Sequence, residues 1–464
     1  MPLQTSSWQV ELQCPQCGGP ATLAETDRIF SCGYCKVRLG VSYGGGHFRY
    51  YLAPGGSEDD SREILYVPYW RFKGIAFACR GENVEERFID ASVLAGRAPL
   101  APMSLGFRPQ ALKLRMASPT TPGKFLATSI PLGGLLSRLI TQIDHAEGEE
   151  EEASPLHHQS FLGETASVIY APVYIEGEKL YDAVLHRPIG RLLTEEEGAG
   201  LAGAGNGGAV GAGGGALSIG ASHAPCGPID AYDGPFDDHR QWQIRFSPML
   251  CPHCGWDLSG EADARAMLCK NCGSGWELPD IQGGALKRLR VAALAGDSPE
   301  GIYLPFWRMR MRVEGLGLAT YADLAMLCNL PKAIRPEWRE QPLHFWLPAF
   351  RTSPRQVLKL ARAASVFQPG EDDFLEDLPK GDLFPVTLSR MQAAQAIKPA
   401  IAFMGVPKKT LFPKLSGLRV RITGCMLVYV PFTEQGSELI QPAMHASIGG
   451  AGLRFARGGV GGIR

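Results

Sequence analysis

A chain of 464 residues with 45% hydrophobic content is long enough for roughly two to four domains with real cores. Its formal net charge of -1 excludes a long-range field that would draw the whole molecule onto a polyanion, so any nucleic-acid surface has to be local. The 56 glycines and 35 prolines cluster in a few stretches, which points to linkers and a tail rather than to global disorder.

The opening segment, MPLQTSSWQVELQC, lacks a basic stretch followed by an apolar one, and no segment reaches the roughly eighteen apolar residues of a membrane span. The expectation is a soluble cytoplasmic protein. The first element, a zinc ribbon over 8–48, is marked by Cys14-Pro-Gln-Cys17 and Cys32-Gly-Tyr-Cys35. A C-x-x-C turn brings two thiolates to one side of a tight knuckle, and two knuckles face to face complete a four-sulfur shell. Gly18 gives the first turn its freedom to bend, whereas Lys36 stands at that place in the second.

An α+β domain follows over 49–191. Aromatic and β-branched runs predict strands near 63–79 and 85–91, and apolar periodicity predicts helices over 109–116 and 132–143. The acidic run 144–152 reads as a solvated loop next to His157 and His158, and a hairpin is predicted over 168–185. Pro68 and Pro172 sit inside their strand patterns, which fits edge strands or bulges rather than central strands. Residues 192–240 form an acidic and then Gly/Ala-rich linker with too little side-chain bulk for a core. Its Gly203-x-Gly205-x-x-Gly208 lies in low-complexity sequence and carries no weight as a nucleotide loop.

A second ribbon over 241–285 carries Cys251-Pro-His-Cys254 and Cys269-Lys-Asn-Cys272, with fourteen residues between its inner cysteines, as in the first. Eight of the twelve cysteines thus form four pairs, and Cys79, Cys226, Cys328 and Cys425 stand singly, a pattern that metal explains better than disulfides do. The two sets resemble tandem zinc-ribbon modules with rubredoxin-like four-cysteine knuckles. That resemblance covers only the ribbons. It implies two bound metal ions, zinc in preference to iron, and a small β fold, but no activity.

The second α+β domain, 286–448, is predicted to contain helices over 353–366 and 387–396. An offset of 237 positions carries Cys14 onto Cys251 and Leu65-Tyr-Val-Pro68-Tyr69-Trp70-Arg71 onto Ile302-Tyr-Leu-Pro305-Phe306-Trp307-Arg308. Internal duplication is therefore expected, each half a four-cysteine ribbon followed by an antiparallel β domain with two or more helices. The ribbon combined with Tyr-x-Pro-aromatic strands also resembles uncharacterised bacterial zinc-ribbon proteins. The segment 398–421 gathers Lys398, Lys408, Lys409, Lys414, Arg419 and Arg421 without an acid, and a Gly/Arg tail fills 449–464.

No metalloprotease, nucleophile-elbow or phosphate-loop motif occurs, so the expectation is not an enzyme. The leading reading is a scaffold or adaptor that binds proteins and forms a pseudo-symmetric monomer, with nucleic acid as the alternative partner through 398–421 and the tail. Candidate partner-binding residues are Tyr69, Trp70, Arg71, Phe306, Trp307, Arg308, Lys408 and Lys409. Against that, the two tryptophans equally suit the core of a β element.

Overall fold

A computed structural model describes residues 8–43, 47–55, 62–98, 100–106, 112–130, 135, 154–194, 196–197, 201, 242–258, 260–278, 285–296, 301–370, 373–375, 378–379, 381–450 and 452. The acidic run, the glycine–alanine stretch and nearly all of the tail lie outside them, as do Cys226 and most of the helix expected over 132–143.

The first half runs through β1 (Gln9–Gln13), β2 (Pro20–Ala24), β3 (Ile29–Ser31), β4 (Arg38–Tyr43), β5 (Phe48–Leu52), β6 (Leu65–Arg80) and β7 (Asn83–Leu94). It continues with β8 (Leu114–Met116), β9 (Lys124–Phe125), β10 (Leu156–Glu176), β11 (Lys179–Asp182) and β12 (Arg187–Ile189). The second half holds β13 (Ile244–Pro248), β14 (Ala266–Leu268), β15 (Gly275–Glu277), β16 (Lys287–Leu289), β17 (Val291–Leu294) and β18 (Ile302–Glu314). After α1 (Tyr321–Leu327) come β19 (His344–Pro348), α2 (Pro354–Val366), β20 (Phe374–Leu375), β21 (Asp382–Leu383), α3 (Arg390–Ala394), α4 (Ile397–Met404) and α5 (Lys408–Leu411). The chain closes with β22 (Arg419–Gln435), β23 (Glu438–Gln441) and β24 (Ala446–Gly449). The protein is thus mostly strands with few helices, and every helix with described bounds lies in the second half.

Local chemistry accounts for these elements. The run LYVPYWRFKGIAFACR of β6 is aromatic and β-branched, which suits a strand covered on both faces. The α1 and α3 starts are capping boxes, Thr320 with Asp323 and Ser389 with Gln392, and Pro354 opens α2 at its first turn. The helix expected over 109–116 is corrected. Leu114–Met116 form β8, wedged between β5 and β1, because cross-strand pairing decides the conformation of so short an apolar run.

The antiparallel expectation is also corrected, since the sheets are mixed. Parallel pairs join β5 to β10, β8 to β1, β9 to β6, β17 to β22 and β21 to β18.

The proline-bearing strands are central, not edges. β10 runs along one side of β6, opposing Tyr170 to Pro68, while the other side takes β9 at Leu65 and Tyr66 and then β7 from Tyr69 onward. Pro68 falls in the gap between those two partners, where no ladder bond is needed from its nitrogen. In the second half β22 opposes Tyr429 to Pro305, and the other side changes from β21 at Tyr303 to β19 at Phe306. Each proline carbonyl is still used, by the N–H of Ala95 at 2.9 Å and of Ala349 at 2.9 Å.

The halves pack together. β6, β7 and β10 extend an arm whose Ile75, Phe77, Cys79 and Leu162 join Val357, Leu358, Ile397, Ile401 and Phe412 in one core cluster. Trp242, from the lead-in to the second ribbon, is buried in the first half's core instead.

Candidate metal centres

Each C-x-x-C lies in a turn. Cys14–Gly19 connect β1 to β2, Cys32–Val37 connect β3 to β4, and Cys269–Ser274 connect β14 to β15. The fourth turn, Cys251–Trp256, is closed by the bridge between Leu250 and Asp257.

All four share one backbone pattern. The leading cysteine carbonyl accepts from the residue four positions on (Gly18, Lys36, Gly255, Gly273), and its N–H donates to the carbonyl five positions on (Gly19, Val37, Trp256, Ser274). The fourth position requires a left-handed backbone, with φ of 72°, 62°, 74° and 69° respectively. Lys36 therefore adopts a conformation that costs an L-residue about 1–2 kcal/mol, and its Nζ folds back onto the Gly33 carbonyl at 2.7 Å.

The knuckles bring the sulfurs together in two groups, Cys14, Cys17, Cys32, Cys35 and Cys251, Cys254, Cys269, Cys272, each with its Sγ atoms within 4.8 Å of one another. Separations of 3.7 Å (Cys14–Cys35), 3.6 Å (Cys17–Cys32), 3.7 Å (Cys251–Cys272) and 3.5 Å (Cys254–Cys269) are far from a disulfide bond. They match the edge of about 3.8 Å in a tetrahedron built on metal–sulfur bonds of about 2.3 Å. Both groups can therefore hold a metal ion. In each, one cysteine of every pair is buried, Cys14 with Cys32 and Cys251 with Cys269.

The thiols are prepared unequally. Backbone N–H groups of Cys35 and Tyr34 point at Cys32 and hold it down at about 6. Cys272 is held at about 5 by the Ser274 hydroxyl and backbone, whereas burial pushes Cys269 up to about 11. Four thiolates this close do not ionise together without a cation among them. Trp276 Nε1 donates to Ser274 Oγ at 2.8 Å, which leaves the hydroxyl hydrogen for Cys272 Sγ at 3.0 Å. Val37 occupies the corresponding place in the first unit, so this outer support belongs to the second alone. The sequence signal was the serine two residues beyond the last ligand.

Six of the proposed partner-binding residues are inside. Tyr69, Trp70, Arg71, Phe306 and Trp307 are at most 1% exposed and Arg308 is 8% exposed, so they offer no surface as they stand. Trp70 Nε1 donates to the Ile130 carbonyl at 2.8 Å and Trp307 Nε1 to that of Leu388 at 2.9 Å. Arg71 is held by Glu25 at 2.9 Å and Asp90 at 2.6 Å, with the Trp8 ring 3.8 Å below its guanidinium. Glu25 and Asp90 are far from Arg71 in sequence, and no local motif marked them. Lys408 donates to the Ala402 carbonyl and to that of Phe403 at 2.9 Å, closing the end of α4, while Lys409 is exposed.

Of the single cysteines, Cys79 is buried, with burial pushing its thiol up to about 12, and Cys425 is half-buried. His157 and His158 lie in β10 rather than in a loop, and burial lowers His158 to about 4. Arg351, just before α2, and Arg390, in α3, bind Asp263 at 2.9 Å and Glu277 at 3.0 Å, holding the second ribbon against the rest of the second half.

Among the described residues no helix is long and apolar enough to cross a membrane. No protein-family model matches the chain, and no curated protein or solved structure matches it either.

Proposed function

We propose that this chain is a non-enzymatic, zinc-stabilised scaffold that binds other proteins, built from two copies of one module. The carrying observation is the pair of four-sulfur groups with tetrahedral edges. Four protein sulfurs fill every position of such a shell, which is the design of a structural zinc rather than of one that activates water. Zinc also suits a redox-inert, tetrahedral thiolate site without further demands on the protein.

The module reading is supported by position. Pro68 and Pro305 stand at equivalent gaps in their sheets, and both receive an N–H from a returning strand or turn, Ala95 and Ala349. Trp70 and Trp307, two residues on, both donate to a distant carbonyl. With Tyr69 to Arg71 and Phe306 to Arg308 in the core, partner contacts fall to other groups. Tyr34 and Trp256, each in a knuckle and 66% and 57% exposed, are the aromatic anchors we assign to a protein partner.

The test is capture of partners on tagged native protein, with and without nuclease, and metal quantified on the same sample. About two zinc per chain and discrete partners that survive nuclease and are lost with Tyr34→Ala/Trp256→Ala support the proposal. A visible thiolate–iron spectrum, or the loss of every partner on nuclease treatment, overturns it.

A further inference from the structure

Beyond the metal centres and the protein-binding reading, we infer that one face of the second half's sheet binds the phosphate backbone of a nucleic-acid duplex. The face is assembled from three strands that are remote in sequence. Arg310 and Arg312 alternate with buried Met309, Met311 and Val313 along β18, so their side chains share the exposed face. β22 lies beside them, opposing Arg421 to Arg312 and Arg419 to Glu314, which puts both arginines on that face. On the far side of β22, the Arg290 carbonyl accepts from Leu427, and Arg290, next to inward-facing Val291, is exposed as well.

Arg310, Arg312, Arg419 and Arg421 therefore form a lattice on one stretch of the sheet, with backbone positions about 7 Å apart along a strand and about 5 Å apart across the Arg312–Arg421 pair, and Arg290, beside Leu427, adds a fifth cation further along β22. Glu314 is the one carboxylate in 310–314 and 419–424, and it is engaged by Arg421 at 2.6 Å. The chain as a whole carries a formal charge of -1, so the positive charge of this surface is local. Every cation in the lattice is arginine, whose planar fork matches phosphate oxygens in pairs.

The equivalent surface of the first half shows what an ordinary solution looks like. Counting from the two prolines, Ile75 and Phe77 occupy the places of Arg312 and Glu314, and both are buried under the second half's helices in a shared apolar core. By the same count Lys73 stands at the place of Arg310, so the change from apolar and covered to charged and open falls at the positions of Arg312 and Glu314. The exposed aromatic residues Tyr34, Phe88 and Trp256 lie elsewhere, so the lattice has no platform for stacking unpaired bases. A duplex read through its phosphates, without sequence preference, is the partner this chemistry fits.

The experiment is fluorescence anisotropy with a labelled 20-base-pair DNA duplex at two salt concentrations, using full-length native protein and an Arg310→Gln/Arg312→Gln/Arg419→Gln variant. With Arg421 engaged by Glu314, four phosphate contacts predict about a 150-fold loss of affinity between about 50 and 200 mM salt, and the variant, which lacks three of them, is expected to flatten the log–log salt slope by about three. These side chains are exposed, so metal content and the thermal unfolding midpoint of the variant should match the native protein, and that match separates a lost contact from a lost fold. Absence of duplex binding at the lower salt overturns the inference. So does an unchanged slope in the variant, or binding to vesicles of anionic phospholipid in place of the duplex. None of these outcomes bears on partner capture through Tyr34 and Trp256, which is read in the presence of nuclease.

Discussion

The backbone N–H of Ile29 donates to the carbonyl of Ala262 at 2.8 Å, tying a strand of the first four-cysteine unit to a loop of the second. Arg28 N–H reaches the same oxygen at 2.7 Å, and the Arg38 guanidinium holds the carbonyls of Leu258 at 3.2 Å and Gly260 at 2.7 Å. β13 extends the β3–β4 hairpin into a three-stranded sheet, and Ile29 packs within the second unit's core beside Cys251 and Cys269. The two centres should therefore lose metal together. In a Cys251→Ser variant, a chelator is expected to strip the first site about 5-fold faster or more, measured as metal released against time. Release from the first site at the native rate would show that the units are independent.

Ser274 makes a second test of the metal reading. Its hydroxyl links Trp276 to Cys272, and outer-shell partners of this kind are typically worth about 10- to 100-fold in metal affinity. Ser274→Ala is expected to weaken the second site by a factor in that range, and the first only by the smaller amount that their coupling transmits, as measured by chelator competition. A second site that keeps its native affinity after the substitution would remove the assigned role.

Lys36 is the one residue of the four equivalent knuckle positions that is not glycine. Lys36→Gly should relieve the left-handed strain and raise stability by about 1 kcal/mol, with the larger unfolded-state entropy of glycine offsetting part of the gain. A rise in the unfolding midpoint of the metal-loaded protein checks this. A fall would mean that the Nζ contact with Gly33 outweighs the strain.

Arg71→Met should cost about 3–5 kcal/mol, because it leaves Glu25 buried without its cation. Burial already raises Glu25 above its ordinary 4.5, with Arg71 opposing that rise. A carboxyl raised in the folded state holds its proton longer there than in the unfolded chain, so stability falls as pH climbs from 4.5 through the folded value. Without Arg71 that window widens and the fall is steeper. Denaturant unfolding of both proteins from acid to neutral pH reads it directly.

Trp307→Phe should act on stability and not on partner capture. It removes the donor to the Leu388 carbonyl and leaves a void in the core, together about 2–4 kcal/mol. A variant that folds with a native unfolding midpoint yet loses partners would return Trp307 to the surface role first considered for it.

Cysteine spacing by itself determined the four knuckles, because a C-x-x-C turn is local and its ligands lie within a few residues of one another. The strand at β6, the helix α2 and the hairpin of β10 with β11 were legible for the same reason, through unbroken aromatic runs, helical periodicity and a short turn. Tertiary structure alone decided the rest. Whether Pro68 and Pro305 mark an edge or the gap between two partners depends on strands contributed from residues 94, 124, 348 and 382. Whether Arg71 meets solvent or Glu25 depends on the first ribbon folding back over β6. The arginine lattice is of the same kind, since its members are spread from residue 290 to residue 421 and only cross-strand pairing makes them neighbours. Local turns and periodicities are written in contiguous residues, whereas burial and charge pairing are set by contacts between segments that no window of sequence contains.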